Sequence, residues 1–213
     1  MKIVLRTLAV LALACSSVFA DAVPVANHSF EEPAMPLASG ATWTNDLPGW
    51  NGPANAGDSF IELIGGFAAD GQGHLGMAAN AEVSQDLGVA LSPNTMYTLS
   101  VAVGRRNASF TVAGNESRFG LYAGGDAEDG GALLVDGTYD AFPLQDSEFV
   151  DQSVSFTTGE TVPAGNLFVS LRSTGENRAH WDNIRVDATL VPEPSSLALV
   201  AFGFLGLLAR RRK

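Results

Sequence analysis

Two short stretches at opposite ends of the chain carry the acids best suited to chemistry: NHSFEEP (Asn27–Pro33) and AHWDNIRVDA (Ala179–Ala188). In the second, Asp182, Ile184 and Val186 share a parity, so an acid falls on the face expected to carry core aliphatics. A carboxylate in that setting is costly unless its charge is compensated. Calcium compensates well, because it gathers several carboxylate and carbonyl oxygens. Glu31 is the second acidic ligand if the first and last strands pair. Two alternatives stand beside this reading: Asp182 caps a strand end, or it pairs with an arginine such as Arg178. The candidate ligand-binding aromatics are Trp43 and Trp50, with Phe67 and Tyr122 behind them. Aromatic faces stack on apolar sugar faces, and core packing is the competing role for each tryptophan.

Other chemistries are poorly supported. His28, His74 and His180 are widely spaced and form no H-x-x-x-H or H-E-x-x-H pattern for zinc. No G-x-S-x-G elbow is present. The only cysteine, Cys15, lies in an N-terminal segment expected to be removed, leaving no cysteine nucleophile and no disulfide framework. The acidic run Gly124–Gly131 does not match an EF-hand loop, since Gly130 falls where an oxygen ligand is needed. It reads as an exposed hairpin loop. The formal net charge is −11, and between Asp21 and Leu190 six arginines face 22 acids, a net of −16. Such a surface repels nucleic acid and anionic lipid, so neither is an expected partner.

These residues must be held by a domain between two processing segments. Residues 1–22 read as a signal peptide: Lys2 and Arg6, an apolar run from Leu8 to Ala14, then small residues placed for signal peptidase to cut after Ala20 or Ala22. ALAC could serve as a lipoprotein box, but Ala12 stands where such boxes carry Leu. Residues 23–190 form one domain, long enough for its own core. It shows short runs of period-2 alternation, clearest in TMYTLSVAV, NLFVSLRS and DQSVSFTT, separated by Gly, Pro, Asn and Asp. SFIELI, HLGMA, AEVSQDL, RFGLYAG, ALLVDG and WDNIRVDA are further strands. The expected fold is an all-β antiparallel sandwich. Pro33–Gly57 reads as a long irregular loop carrying both candidate tryptophans.

N-x-S-F-E, PGW, QDLG with L-x-P-N-T-x-Y-T-L, and WDNIRV, in that order, resemble the galactose-binding-like jelly rolls. These include the carbohydrate-binding modules of secreted glycoside hydrolases. The resemblance covers Val23–Leu190 and implies a structural calcium held by Glu31 and Asp182, with backbone carbonyls completing the shell. It also implies sugar binding. The Stig cyclases share this jelly roll and calcium, but shared architecture says little about an active site.

At the other end, residues 191–213 run from Pro192, Glu193 and Pro194 through an apolar stretch to Arg210, Arg211, Arg212 and Lys213. The apolar run Leu197–Ala209 spans about 20 Å as a helix, short of the ~30 Å hydrocarbon core. It has no polar face for a soluble helix, and the basic cluster favours a cytoplasmic end. The order resembles the PEP-CTERM sorting signal. That resemblance implies cleavage near Pro192–Pro194 by exosortase, after transient membrane insertion through the C-terminal helix, in a Gram-negative bacterium.

The expectation is therefore a secreted, non-catalytic protein of the cell surface or extracellular matrix, binding extracellular polysaccharide. A structural or adhesive role without a sugar site is the alternative. An enzyme on a calcium-bound jelly roll would be marked by an enclosed apolar pocket with a carboxyl inside.

Overall fold

The computed structural model describes residues 20–36, 41–52, 59–64, 66–175 and 177–191. Residues 1–19 of the signal segment and the sorting segment with Pro192, Glu193, Pro194, Arg210, Arg211 and Arg212 lie outside the described residues. Within the described residues every regular element is a strand: β1 Ala20–Val23, β2 Thr42–Thr44, β3 Ser59–Leu63, β4 Gly73–Met77, β5 Glu82–Ala90, β6 Thr95–Arg105, β7 Glu116–Ala123, β8 Ala132–Asp140, β9 Glu148–Thr157, β10 Asn166–Thr174 and β11 Ala179–Leu190. All pairings are antiparallel. One sheet has the order β2-β3-β4-β11-β6-β9, with β1 also on β11; the second has the order β5-β10-β7-β8.

The alternation seen in the sequence builds the core between these sheets. Tyr97, Leu99, Val101 and Val103 of β6 point inward with Ile61, Leu75, Trp181 and Val186, against Phe119, Leu121, Val169 and Leu171 of the second sheet. Burying these side chains contributes about 1.5–3 kcal/mol each before entropy is counted. Gly124–Gly131 is the β7–β8 connection, and Asp126 in it accepts a hydrogen bond from the Ser84 hydroxyl of β5.

Two features depart from the sequence reading. In the stretch expected to be irregular, Thr42–Thr44 adds a short strand to β3. In β11, Asp182 is opposite Ala102 while Arg185 is opposite Ser100, so Asn183 and Ile184 together face Val101. This is a β-bulge, with Asn183 at φ 49°. The extra residue reverses the parity. Val186, opposite Leu99, faces the core, and Asp182 lies on the other face with His180.

The first and last strands do pair, with Ala20–Val23 running against Thr189–Val186. Cleavage after Ala20 preserves Asp21–Val23 of this strand, whereas cleavage after Ala22 would remove most of it. The mature N-terminus is therefore expected at Asp21. N-terminal sequencing of the exported protein checks this, and a start at Val23 would refute it.

Candidate functional site

On the face of the larger sheet turned away from the core, two cross-strand rows converge. One runs Trp43, Glu62, His74 across β2, β3 and β4. The other runs Phe60, Gly76, His180, Gly104, Phe149 across β3, β4, β11, β6 and β9. The glycines make room for the rings: a Cβ on Gly76 would lie 2.6 Å from the Phe60 ring, and one on Gly104 would lie 2.4 Å from the Phe149 ring. Phe67, from the β3–β4 connection, closes over the second row. Its ring centroid is 4.6 Å from His74, 4.7 Å from Phe149 and 5.4 Å from His180.

Under this aromatic cover Glu62, His74 and His180 bring a carboxylate oxygen and two imidazole nitrogens within 4.8 Å of one another. Glu62 Oε1 pairs with Arg106 at 2.9 Å, and Glu62 Oε2 lies 3.5 Å from His74 Nε2. Both histidines are fully buried. Burial pushes the His74 pKa down, opposed by the Glu62 carboxylate. Burial pushes His180 well below the ordinary range, with His74, Arg106 and Arg178 adding to the effect. Both imidazoles are therefore neutral near pH 7.

Glu62 also lines a cleft of about 460 Å³ with Ala41, Trp43, Phe60, Arg106, Phe110 and Arg178. Trp43 is 61% exposed and presents an open indole face. Arg178 lies over Phe60 and Phe110 at 4.9 and 4.8 Å, and Arg106 lies 4.0 Å over Phe110. Among the described residues, Arg178 is the one arginine with no carboxylate within ion-pair distance. A smaller groove of about 80 Å³ on the outer face of the second sheet holds Tyr122, and its arginines are already paired, Arg118 with Asp136 and Arg172 with Glu82.

The carboxylates singled out in the sequence sit beside this site and brace it. Asp182 Oδ2 accepts the amides of Ala69 (2.6 Å) and Asp70 (2.9 Å), and its Oδ1 accepts that of Asn183 (2.7 Å). Glu31 Oε1 accepts the amides of Gln72 and Gly73, each at 2.7 Å. Asp182 thus holds the middle, and Glu31 the C-terminal end, of the loop that carries Phe67 over the histidines. Asp182 is fully buried, and burial raises its pKa to about 7 against the pull of the Asp70, Ala69 and Asn183 amides. No described basic side chain pairs with it, and Arg178 is engaged elsewhere.

The tryptophans divide. Trp43 lines the cleft, whereas Trp50 is a core residue, 7% exposed and packed on Phe30 at 5.5 Å. Trp50 is therefore corrected from ligand contact to packing, and Phe67, placed behind the tryptophans from the sequence, is a buried cover over the histidines. Spacing alone dismissed His74 and His180 and passed over Glu62. Glu62 and His74 are polar residues opposite in parity to the aliphatics of their own strands, the signal that marks a second populated face, whereas His180 shares the parity of Ile184 and Val186 and is moved off their face only by the bulge.

The HpiC1-like family model, described as HpiC1 cyclase, matches residues 21–187, and the chain belongs to that family. Residues 190–213 match the PEP-CTERM protein-sorting motif, which implies export and a surface or extracellular placement. No curated protein sequence matches the chain. Among solved structures, a cyclase from Fischerella sp. TAU in complex with 4-(1H-indol-3-yl)butan-2-one is similar at a TM-score of 0.66 and 21% identity, over 81% of this chain and 99% of that one. An apo-form cyclase from Fischerella sp. is similar at 0.63 and 21%, over 81% and 98%. The CBM22-1 xylan-binding domain of Paenibacillus barcinonensis Xyn10C follows at 0.47 and 17%, over 81% and 97%. At these identities the likeness to the cyclases is one of fold.

Proposed function

As a member of the HpiC1-like family carrying an export address, this protein, we propose, binds an acidic sugar residue of extracellular polysaccharide in the Trp43–Phe60–Phe110 cleft, without catalysis, after exosortase has processed its tail. The observation that carries this reading is Arg178. In a strongly acidic chain, its guanidinium lies on an aromatic wall with no carboxylate of its own among the described residues. A guanidinium so placed suits a uronate carboxylate, and the exposed indole of Trp43 suits the ring's apolar face.

Calcium belongs to the same proposal. Glu31 and Asp182 would hold it, and the donor set fits: hard carboxylate oxygens, one of them buried with no cationic partner among the described residues. Bound calcium would supply the positive charge that Asp182 lacks and fasten β11 to the loop above the cleft.

Titration calorimetry with an oligogalacturonate and a neutral xylo-oligosaccharide tests the reading. The acidic ligand is expected to bind preferentially, and Arg178→Ala and Trp43→Ala are each expected to weaken it by about tenfold or more. Equal binding of the neutral ligand, indifferent to Arg178, would refute it. A second reading, a small-molecule reaction in the same cleft, draws on Glu62 as a carboxyl inside an aromatic-walled cavity beside neutral imidazoles. It requires that an aromatic compound such as 4-(1H-indol-3-yl)butan-2-one displace the oligouronate and be converted.

A further inference from the structure

Glu62, His74 and His180 stay together for a reason that sugar binding does not supply. His180 has no hydrogen-bond partner at either nitrogen among the described residues, and His74 makes no well-formed hydrogen bond, only loose approaches to the Glu62 carboxylate and the Phe67 backbone. Buried polar atoms are nearly always satisfied, and a cluster of them facing one another calls for an explanation. A hydrogen-bonded network is a poor one here, because the 3.5 Å separation of His74 Nε2 and Glu62 Oε2 is long for a hydrogen bond. The same separation is close to the edge of a tetrahedral ion's coordination shell, about 3.3 Å for bonds near 2.0–2.1 Å.

We infer that Glu62, His74 and His180 form a binding site for a borderline divalent transition-metal ion of the Zn²⁺ class, separate from the Glu31–Asp182 pair. Two imidazoles and one carboxylate are a donor set such ions favour over calcium, which prefers oxygen alone. The ligand atoms already lie within 4.8 Å of one another, so binding needs only small side-chain rotations. The surroundings suit the role. Arg106 occupies Glu62 Oε1 and leaves Oε2 turned to His74, as outer partners of metal ligands commonly do. Phe67 and Phe149 shield the imidazoles from water. Three protein ligands leave a tetrahedral ion one further position.

The test uses the mature protein purified after export, stripped with chelator and reloaded with Zn²⁺ or Co²⁺ alone. One ion per chain is expected by elemental analysis, and Co²⁺ should give the intense visible bands of a tetrahedral site. His180→Asn and His74→Asn, checked for folding by circular dichroism, are expected to weaken Co²⁺ binding by at least about 100-fold, and Glu62→Gln by about 10- to 100-fold. Glu82→Gln, on the other sheet, should leave Co²⁺ binding in place. The inference is overturned if the folded wild-type chain takes up no Zn²⁺ or Co²⁺, if binding survives both histidine substitutions, or if Glu82→Gln abolishes it as fully as His180→Asn does.

Discussion

Replacing Asp182 with alanine is expected to cost about 3 kcal/mol, a fall of roughly 6–12 °C in thermal midpoint for a domain of this size. Three backbone amides lose their acceptor: Ala69, Asp70 and Asn183. Ala69 and Asp70 lie at exposed loop positions, so their amides turn to water, and the loop that carries Phe67 over the histidines loses its tie to β11. The loss is tempered because the metal-free carboxyl is itself unfavourably buried, which is what raises its pKa to about 7.

The direction of the pH effect follows from the same fact. Between about pH 4 and pH 7 the unfolded chain has lost the Asp182 proton that the folded chain retains. Metal-free stability therefore falls as pH rises through this window and levels off above it. The effect is on the order of 4 kcal/mol in full. Glu82, also raised by burial, acts in the same direction, while the lowered His74 and His180 act oppositely below pH 6.5. The difference between wild type and Asp182→Asn isolates the Asp182 contribution. Calcium should abolish that slope by keeping the carboxylate ionised, and chelator should restore it. Chemical denaturation across pH 4–8, with and without calcium, checks both points, and a calcium-insensitive difference curve would remove calcium from Asp182.

How far the sequence foretold this molecule depends on what kind of fact is asked of it. Strands such as Thr95–Arg105 were legible because alternation is a local property: Leu99, Val101 and Val103 announce their face without reference to partners. The β1 strand was hidden under a cleavage signal, and β2 is three residues long in a Pro- and Gly-rich stretch. The reading of Asp182 failed one step further on. Its even spacing from Val186 is real, but a bulge at Asn183 and Ile184 sits between them and no local pattern marks it. The histidines required the strand order itself. His74 and His180 are far apart in the chain and become neighbours because β4 pairs β11, a long-range choice that motif spacing cannot express. Glu31 and Asp182 were found from their residue types, whereas their shared task of pinning one loop became visible only with the fold.

Trp50→Ala and Trp43→Ala should separate stability from binding. Trp50 is nearly fully buried, stacks on Phe30, and reaches the Asn27 carbonyl with its indole N–H at 3.4 Å. Its removal leaves a ring-sized cavity beside the turn that leads into Glu31, and is expected to cost about 3–5 kcal/mol. Trp43, exposed on the three-residue strand β2, should cost within about 0.5 kcal/mol. The effects on oligouronate binding should run the other way: about tenfold or more weaker for Trp43→Ala, and little changed for whatever fraction of Trp50→Ala remains folded. Denaturant melts alongside calorimetry measure both. Because Phe30 precedes Glu31, Trp50→Ala should also loosen calcium binding, whereas Trp43→Ala should not. A Trp43→Ala variant that melts early, or a Trp50→Ala variant of normal stability that no longer binds, would reverse the assignment of core and cleft.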